Sequence, residues 1–278
     1  MRWYADDSDI KTIKEVKIPN AVLFGGVVVS DENERPLRDA IESAKAKYGS
    51  GRAPIKWNFK DLKRKYEEQG KADLYKALSD NMHYLRRDIF DAVKNIDFKI
   101  IISMVVGHST DKQYLSEIKD DLTRYVFSNG LMRFAHHVKE KRPTRAQVIL
   151  DWPDGNNSKS FDKEYCSAYN NGVSVDGIQY YSGALNRLGF LDSALFTRMP
   201  HSTLLQFSDI LVGTTREFVQ NAIEQRDGGH GIKLLETISD KFRGYPNVVG
   251  RGLIVNSSAK NTTTQIRDKF RELYIDNS

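Results

Sequence analysis

The chain has 278 residues, of which 28% are charged and 40% apolar, enough to bury a sizeable core in one large domain or two small ones. A net charge of +5 and a pI of about 9.0 make it mildly basic, which is compatible with an anionic partner such as nucleic acid. No apolar run reaches the ~18 residues of a membrane span, so no membrane partner is expected, and the single cysteine, Cys166, excludes an internal disulfide and a multi-cysteine zinc site.

The start, Met1-Arg2-Trp3-Tyr4-Ala5-Asp6, lacks the ~7–15-residue apolar stretch of a signal peptide, so a cytoplasmic location is the expectation. Residues 2–5 and 21–29 read as strands. The second, Ala21 to Val29, is almost continuously apolar, as a central strand should be. Gly25-Gly26 within it marks a bulge or a close backbone approach. A helix is expected over 36–47, with Pro36 at an early helical position. Gly49, Gly51 and Pro54 make 48–58 a loop or short strand. The stretch 45–76 holds ten Lys/Arg against four Asp/Glu. It is either a solvated helix face or a contact for nucleic acid.

A long mixed-charge helix is expected over 72–95, then a strand over 98–106. A helix follows over 112–140, interrupted near Asn129-Gly130. His136 and His137 point about 100° apart on it, so they cannot both ligate one ion from that face. The next strand, 146–151, is ended by Pro153 and Gly155. A helix over 160–170, a strand over 193–198 and a helix over 204–224 complete the main pattern. Thr203 and Gln206 have capping-box spacing at the start of that last helix. A further helix, a strand over 248–255 and a helix over 260–274 close the chain. This alternation predicts an α/β fold with a mixed β-sheet flanked by helices. The expected organisation is a domain over 1–228 with a helical insertion at about 60–140, and a C-terminal appendage over 229–278 packed on it. Ligand sites in such folds gather outside the carboxyl ends of strands.

Three acidic positions stand out on that pattern. Asp6 follows Trp3-Tyr4-Ala5, Asp151 follows Val148-Ile149-Leu150, and Asp209 lies where the apolar arc of its helix meets the polar face. A carboxylate at the end of a buried strand is unfavourable unless something compensates it. Three that meet would repel, and a divalent cation is the usual compensation. Each has a plainer reading, as a turn acid or a solvated helix residue. Asp7 should point away from Asp6 by strand alternation unless the chain bends. Asp154 serves either as an outer carboxylate or only in the turn.

These residues resemble domain-of-unknown-function family 3800 (DUF3800). Tyr4-Ala5-Asp6-Asp7-Ser8 is similar to its apolar-Asp-Glu-Ser-Gly opening, and Ile55-Lys56-Trp57 to its basic-aromatic segment. Val148-Ile149-Leu150-Asp151 resembles its central strand and acid. Leu204 to Gly213 resembles its Leu-Gln-x-Ala-Asp-apolar-apolar-x-Gly helix. The likeness spans residues 4 to 213, and the last motif is the most specific. It implies a ribonuclease H-like fold and a nuclease-type acidic site, in proteins of which some are associated with mobile elements or phage defence. Asp6, Asp151 and Asp209 are the positions carried over. Asp7 stands for the family's Glu, Asp9 for its Gly, and Pro54 where many members have an acid, so the implied set is three acids plus Asp7.

The expected chemistry is hydrolysis of phosphodiester bonds with Mg²⁺ or Mn²⁺, which activate water and stabilise the leaving oxygen. Lys56 is placed to meet a phosphate or is a surface lysine. Trp57 stacks on a base or lies in the core. Gln206, on the polar face with Asp209, completes the substrate-binding set. The alternatives are a catalytically silent nucleic-acid-binding protein, a small-nucleotide phosphohydrolase and a defence-associated interaction module. DNA or RNA, endo- or exonuclease action and oligomeric state stay open.

Overall fold

The computed structural model describes residues 1–7, 21–106, 115–152, 158–257 and 261–275. Ser8 and Asp9 of the acidic opening, and Pro153, Asp154 and Gly155 of the turn after Asp151, lie outside them. The strands are β1 (Arg2–Asp7), β2 (Ala21–Val29), β3 (Lys99–Val106), β4 (Gln147–Asp151), β5 (Leu195–Thr197) and β6 (Leu253–Ser257). The helices are α1 (Asp31–Ala46), α2 (Lys63–Glu68), α3 (Ala72–Asp80), α4 (Met82–Val93), α5 (Leu115–Lys141), α6 (Lys159–Asn171), α7 (Thr203–Glu224), α8 (His230–Ile238) and α9 (Thr262–Ile275).

The strands form one mixed sheet in the order β5-β4-β1-β2-β3-β6. β1 and β2 are antiparallel, as are β2 and β3, while β1–β4, β4–β5 and β3–β6 run parallel. Because side chains alternate along a strand, each face carries its own apolar set. Tyr4, Leu23, Val27, Ile102 and Ile149 face α1, α4, α7 and α9, through Ile41, Leu85, Phe207 and Phe270. Trp3, Ala5, Phe24, Val148 and Leu150 face α5 and α6, through Phe127, Phe134 and Phe161. Burying both faces explains why β2 and β3 are almost wholly apolar.

Several boundaries differ from the sequence reading. α1 begins at Asp31 rather than at 36, because Ser30 is extended and Asp31, Glu32 and Glu34 complement the helix N-terminus. Pro36 therefore lies inside the helix. The helix expected over 72–95 is two, α3 and α4, broken at Asn81, which leaves helical geometry and caps α3 through Nδ2 to the Ala77 carbonyl (2.9 Å). α5 runs uninterrupted through Asn129-Gly130, and Gly130 is small because the Trp3 indole presses on it. The central strand β3 falls inside the stretch expected as a helical insertion. The C-terminal segment supplies the edge strand β6, while α8 and α9 pack on α7. Among the described residues no helix is long and apolar enough to cross a membrane.

Candidate carboxylate site

Asp6 and Asp151 close two neighbouring parallel strands. The register pairs Tyr4 with Ile149 and Ala5 with Leu150. One step further sets Asp6 beside Asp151, with main chains ~4.8 Å apart. By alternation both share the face of Tyr4 and Ile149, on which α7 lies. Asp7 falls on the opposite face, at the partly exposed strand end.

Asp209 reaches this rim because α7 is anchored one residue earlier. The Ser208 hydroxyl donates to the Tyr4 carbonyl (2.7 Å) and accepts from the Val27 N–H (3.3 Å). The helix can come that close only because Gly26 has no side chain. A Cβ there would overlap both Ser208 and the Tyr4 carbonyl, and the φ of 156° disfavours any other residue. The helix start differs from the capping-box expectation. Ser202 is the cap, its Oγ accepting from the Leu205 N–H (3.3 Å), while the Thr203 hydroxyl donates to Glu42 (2.8 Å).

The three acids feel one another. Burial pushes the Asp6 carboxyl well above the usual range, and the charges of Asp209, Asp7 and Asp151 push it further, with Lys56 opposing. Burial is the largest cause that raises Asp209, which stands at about 6 with all its neighbours counted. The Trp57 N–H, Lys56 and Arg86 pull it back, and Asp151 adds to the rise. Burial alone would lower Lys56, but Asp209, Asp6, Asp61 and Asp151 together outweigh it and raise it. Lys56 is therefore the ammonium set among these carboxylates.

The hydrogen bonds show which oxygens are committed. Asp151 Oδ1 accepts from the Met199 N–H (2.6 Å) and the Trp152 N–H (2.9 Å). Asp209 Oδ2 accepts from the Trp57 N–H. Asp6 Oδ1 accepts from the Asp7 N–H (2.8 Å), whereas Asp6 Oδ2 is buried with no hydrogen-bond partner among the described residues. A buried, unbonded carboxylate oxygen among like charges is the feature a cation would relieve. The donors are all carboxylate oxygens, which suits Mg²⁺ or Mn²⁺. Among the described residues, however, no three His, Cys, Asp or Glu side chains cluster tightly enough to hold one ion together. An ion bound here would therefore have to keep several of its waters, as magnesium ordinarily does.

Trp57 is half-buried, with the Arg86 guanidinium 4.1 Å from its ring centroid and α7 against it at Gly213. Gln206 is 2% exposed. Its Oε1 accepts from Lys45 Nζ (2.8 Å) and the Ile55 N–H (3.3 Å), and its Nε2 donates to the Met199 and Pro200 carbonyls (3.3 Å each). Gln206 thus joins α1, the loop before Lys56 and the turn that bonds Asp151. Lys45 is fully buried, and burial pushes its ammonium down to about 8. Arg86, Lys45 and Ser208 were not singled out by the sequence. Arg86 and Lys45 belong to mixed-charge helices and Ser208 to an apolar one, where periodicity does not distinguish them.

Comparison with known protein families, with curated proteins and with solved structures finds no match to this chain. A functional reading therefore rests on the chemistry of these residues.

Proposed function

We propose that the protein is a divalent-metal-dependent nuclease of ribonuclease H-like architecture, hydrolysing phosphodiester bonds at Asp6, Asp151 and Asp209. One observation carries this reading. Acids from β1, β4 and α7, far apart in sequence, act on one another at a single sheet rim, and Asp6 Oδ2 is buried there with no hydrogen-bond partner among the described residues. A stability-driven fold would gain nothing from this repulsion, and functional sites are where such strain is found. Bound Mg²⁺ or Mn²⁺ would supply water activation and Lewis-acid stabilisation of the leaving oxygen. Asp6, Asp151 and Asp209 would anchor it largely through the waters it retains rather than as one closed three-carboxylate cage, with Asp7 at the outer edge. Lys56 is the residue to meet a phosphate once the acids are neutralised, and Trp57 sits beside it. Gln206 acts through the frame, fixing the loop that bears both.

The test is cleavage of labelled RNA and DNA by the purified chain in Mg²⁺ and in Mn²⁺, wild type against Asp151→Asn. Asn keeps an oxygen for the Met199 and Trp152 N–H groups but loses the charge. The expected outcome is metal-dependent cleavage that falls about 100-fold or more in the variant, with the melting temperature little changed. Cleavage at the wild-type rate by Asp151→Asn, or none by wild type in either metal, rejects the reading.

A second reading is a catalytically silent nucleic-acid-binding protein. It is favoured by Lys56, which already lies in the field of the acids, and by the want of a three-ligand cluster among the described residues. Binding of nucleic acid without cleavage would select it. Release of phosphate from small nucleotides alone would instead select a phosphohydrolase.

A further inference from the structure

We infer that Arg86 is a positioning residue of the carboxylate site, clamping Trp57 against α7 and so holding Lys56 and the Trp57 N–H on the acids. The inference rests on the proposed site, but the clamp can be measured without any activity. Arg86 lies on α4 and has no place in the acidic motifs. Its Nη2 donates to the main-chain carbonyls of Trp57 and of Lys56, the latter at 3.4 Å. Its guanidinium also stacks over the Trp57 ring, 4.1 Å from the centroid. On the other side, Gly213 of α7 leaves just enough room for the indole, since an added Cβ would overlap it. Trp57 is thus held between a cation and a bare stretch of helix.

That arrangement fixes the two groups the segment sends to the acids. The Trp57 N–H donates to Asp209 Oδ2, and the preceding residue is Lys56. The helix bearing Arg86 is itself tied down one turn earlier, where His83 stacks on His230 of α8 with ring centroids 3.5 Å apart.

A merely structural cover for Trp57 would be apolar. Burying a guanidinium is unfavourable, and burial lowers Arg86 to about 10. Arg86 Nε is buried with no hydrogen-bond partner among the described residues. What the guanidinium adds is a flat cation that stacks on an indole while one of its edge nitrogens bonds carbonyls, which no other side chain provides. Its charge also lies in the field of Asp209.

The test compares wild type, Arg86→Met and Arg86→Lys in a Trp152→Phe background. Trp3 is fully buried there, so acrylamide quenching reports Trp57. Arg86→Met is expected to expose Trp57 to acrylamide and to lower kcat roughly 10- to 100-fold, with KM for the polymer little changed. Arg86→Lys, which keeps charge without the flat stacking group, is expected to restore only part of both. Wild-type quenching in Arg86→Met, or an unchanged kcat despite lost shielding, overturns the inference. If wild type cleaves nothing, the nuclease reading falls, and the quenching arm alone decides the clamp. Gly213→Ala displaces Trp57 from the other side and should reproduce the pattern if Arg86→Met is too unstable to read. Should neither variant fold, or Gly213→Ala quench like wild type, Arg86 is a packing residue and the inference fails.

Discussion

At the scale of single residues, Asp6 should destabilise the fold it sits in. Its carboxyl is held above the unfolded value by burial and by Asp209, Asp7 and Asp151. The unfolded chain therefore releases this proton first, and folding loses stability as pH rises from ~4 through the folded value. Asp6→Asn removes the charge, keeps an acceptor for the Asp7 N–H, and can turn an amide toward the acids. In metal-free buffer at pH 7 it should raise the melting temperature by roughly 2–4 °C or more. Adding Mg²⁺ to wild type should narrow the gap, and a lower melting temperature for the variant would contradict this account. His137 carries the opposite dependence. It is 5% exposed, and burial, reinforced by Arg243 and only partly offset by Glu140, pushes it down to about 4. The fold thus favours the neutral ring, while the unfolded chain takes up a proton near 6.5. That stability is complete above pH 6.5 and lost as pH falls toward 4. The loss is on the order of 2 kcal/mol between pH 7 and pH 5. Urea unfolding should show that steeper loss in wild type than in His137→Gln; parallel curves would remove His137 as its source.

At the scale of elements, the site depends on how closely α7 lies on the sheet. Gly26→Ala would set a Cβ against Ser208 and the Tyr4 carbonyl at a φ that suits glycine. It should lower stability by about 3 kcal/mol. Activity should fall beyond what unfolding explains, because Asp209 moves with Ser208. A variant of wild-type stability would mean that the helix does not press there. The close approach was legible at Gly25-Gly26, since paired glycines in an apolar strand have few other uses. So were the positions of β1 to β4 and α7, where long apolar runs leave no competing pattern. Other features were not legible. The break at Asn81 depends on one side-chain bond to Ala77, and the unbroken α5 on the fit of Gly130 to Trp3. The start of α1 depends on acids acting through the helix dipole. Each is a tertiary or short-range electrostatic effect that hydrophobic periodicity does not carry. Within the site, Asp6 and Asp151 could be named from strand ends and Asp209 from the border of its helix's apolar arc. Arg86 could not, because in sequence it is one charge among many on a mixed helix.

At the scale of the whole molecule, the stretch 45–76 carries ten Lys/Arg against four Asp/Glu and includes Lys56, which lies in the field of the acidic rim. The basic run continues directly from Trp57 into the turn before α2 and through α2 itself. It is only partly spent internally. Lys63 pairs with Glu67 (3.8 Å) and Arg64 with Glu68 (2.7 Å), both exposed i,i+4 pairs. Such pairs are worth little in water, so they would open to meet a phosphate. A protein that neutralises phosphates releases condensed counterions, and each contact steepens the fall of log K with log salt by ~0.9 on duplex DNA or ~0.7 on a single strand. Replacing Lys60, Lys63, Arg64 and Lys65 together by Gln should therefore weaken binding and flatten the salt slope by roughly 3 on a single strand and roughly 3.5 on a duplex when each meets a phosphate. Binding should be measured by anisotropy on labelled DNA and RNA, using Asp151→Asn in metal-free buffer so that cleavage is suppressed. Gln keeps helix propensity and removes only charge, so α2 should survive. A substrate held by the acidic rim and Lys56 alone would leave the slope unchanged, and that result would move the nucleic-acid path away from α2.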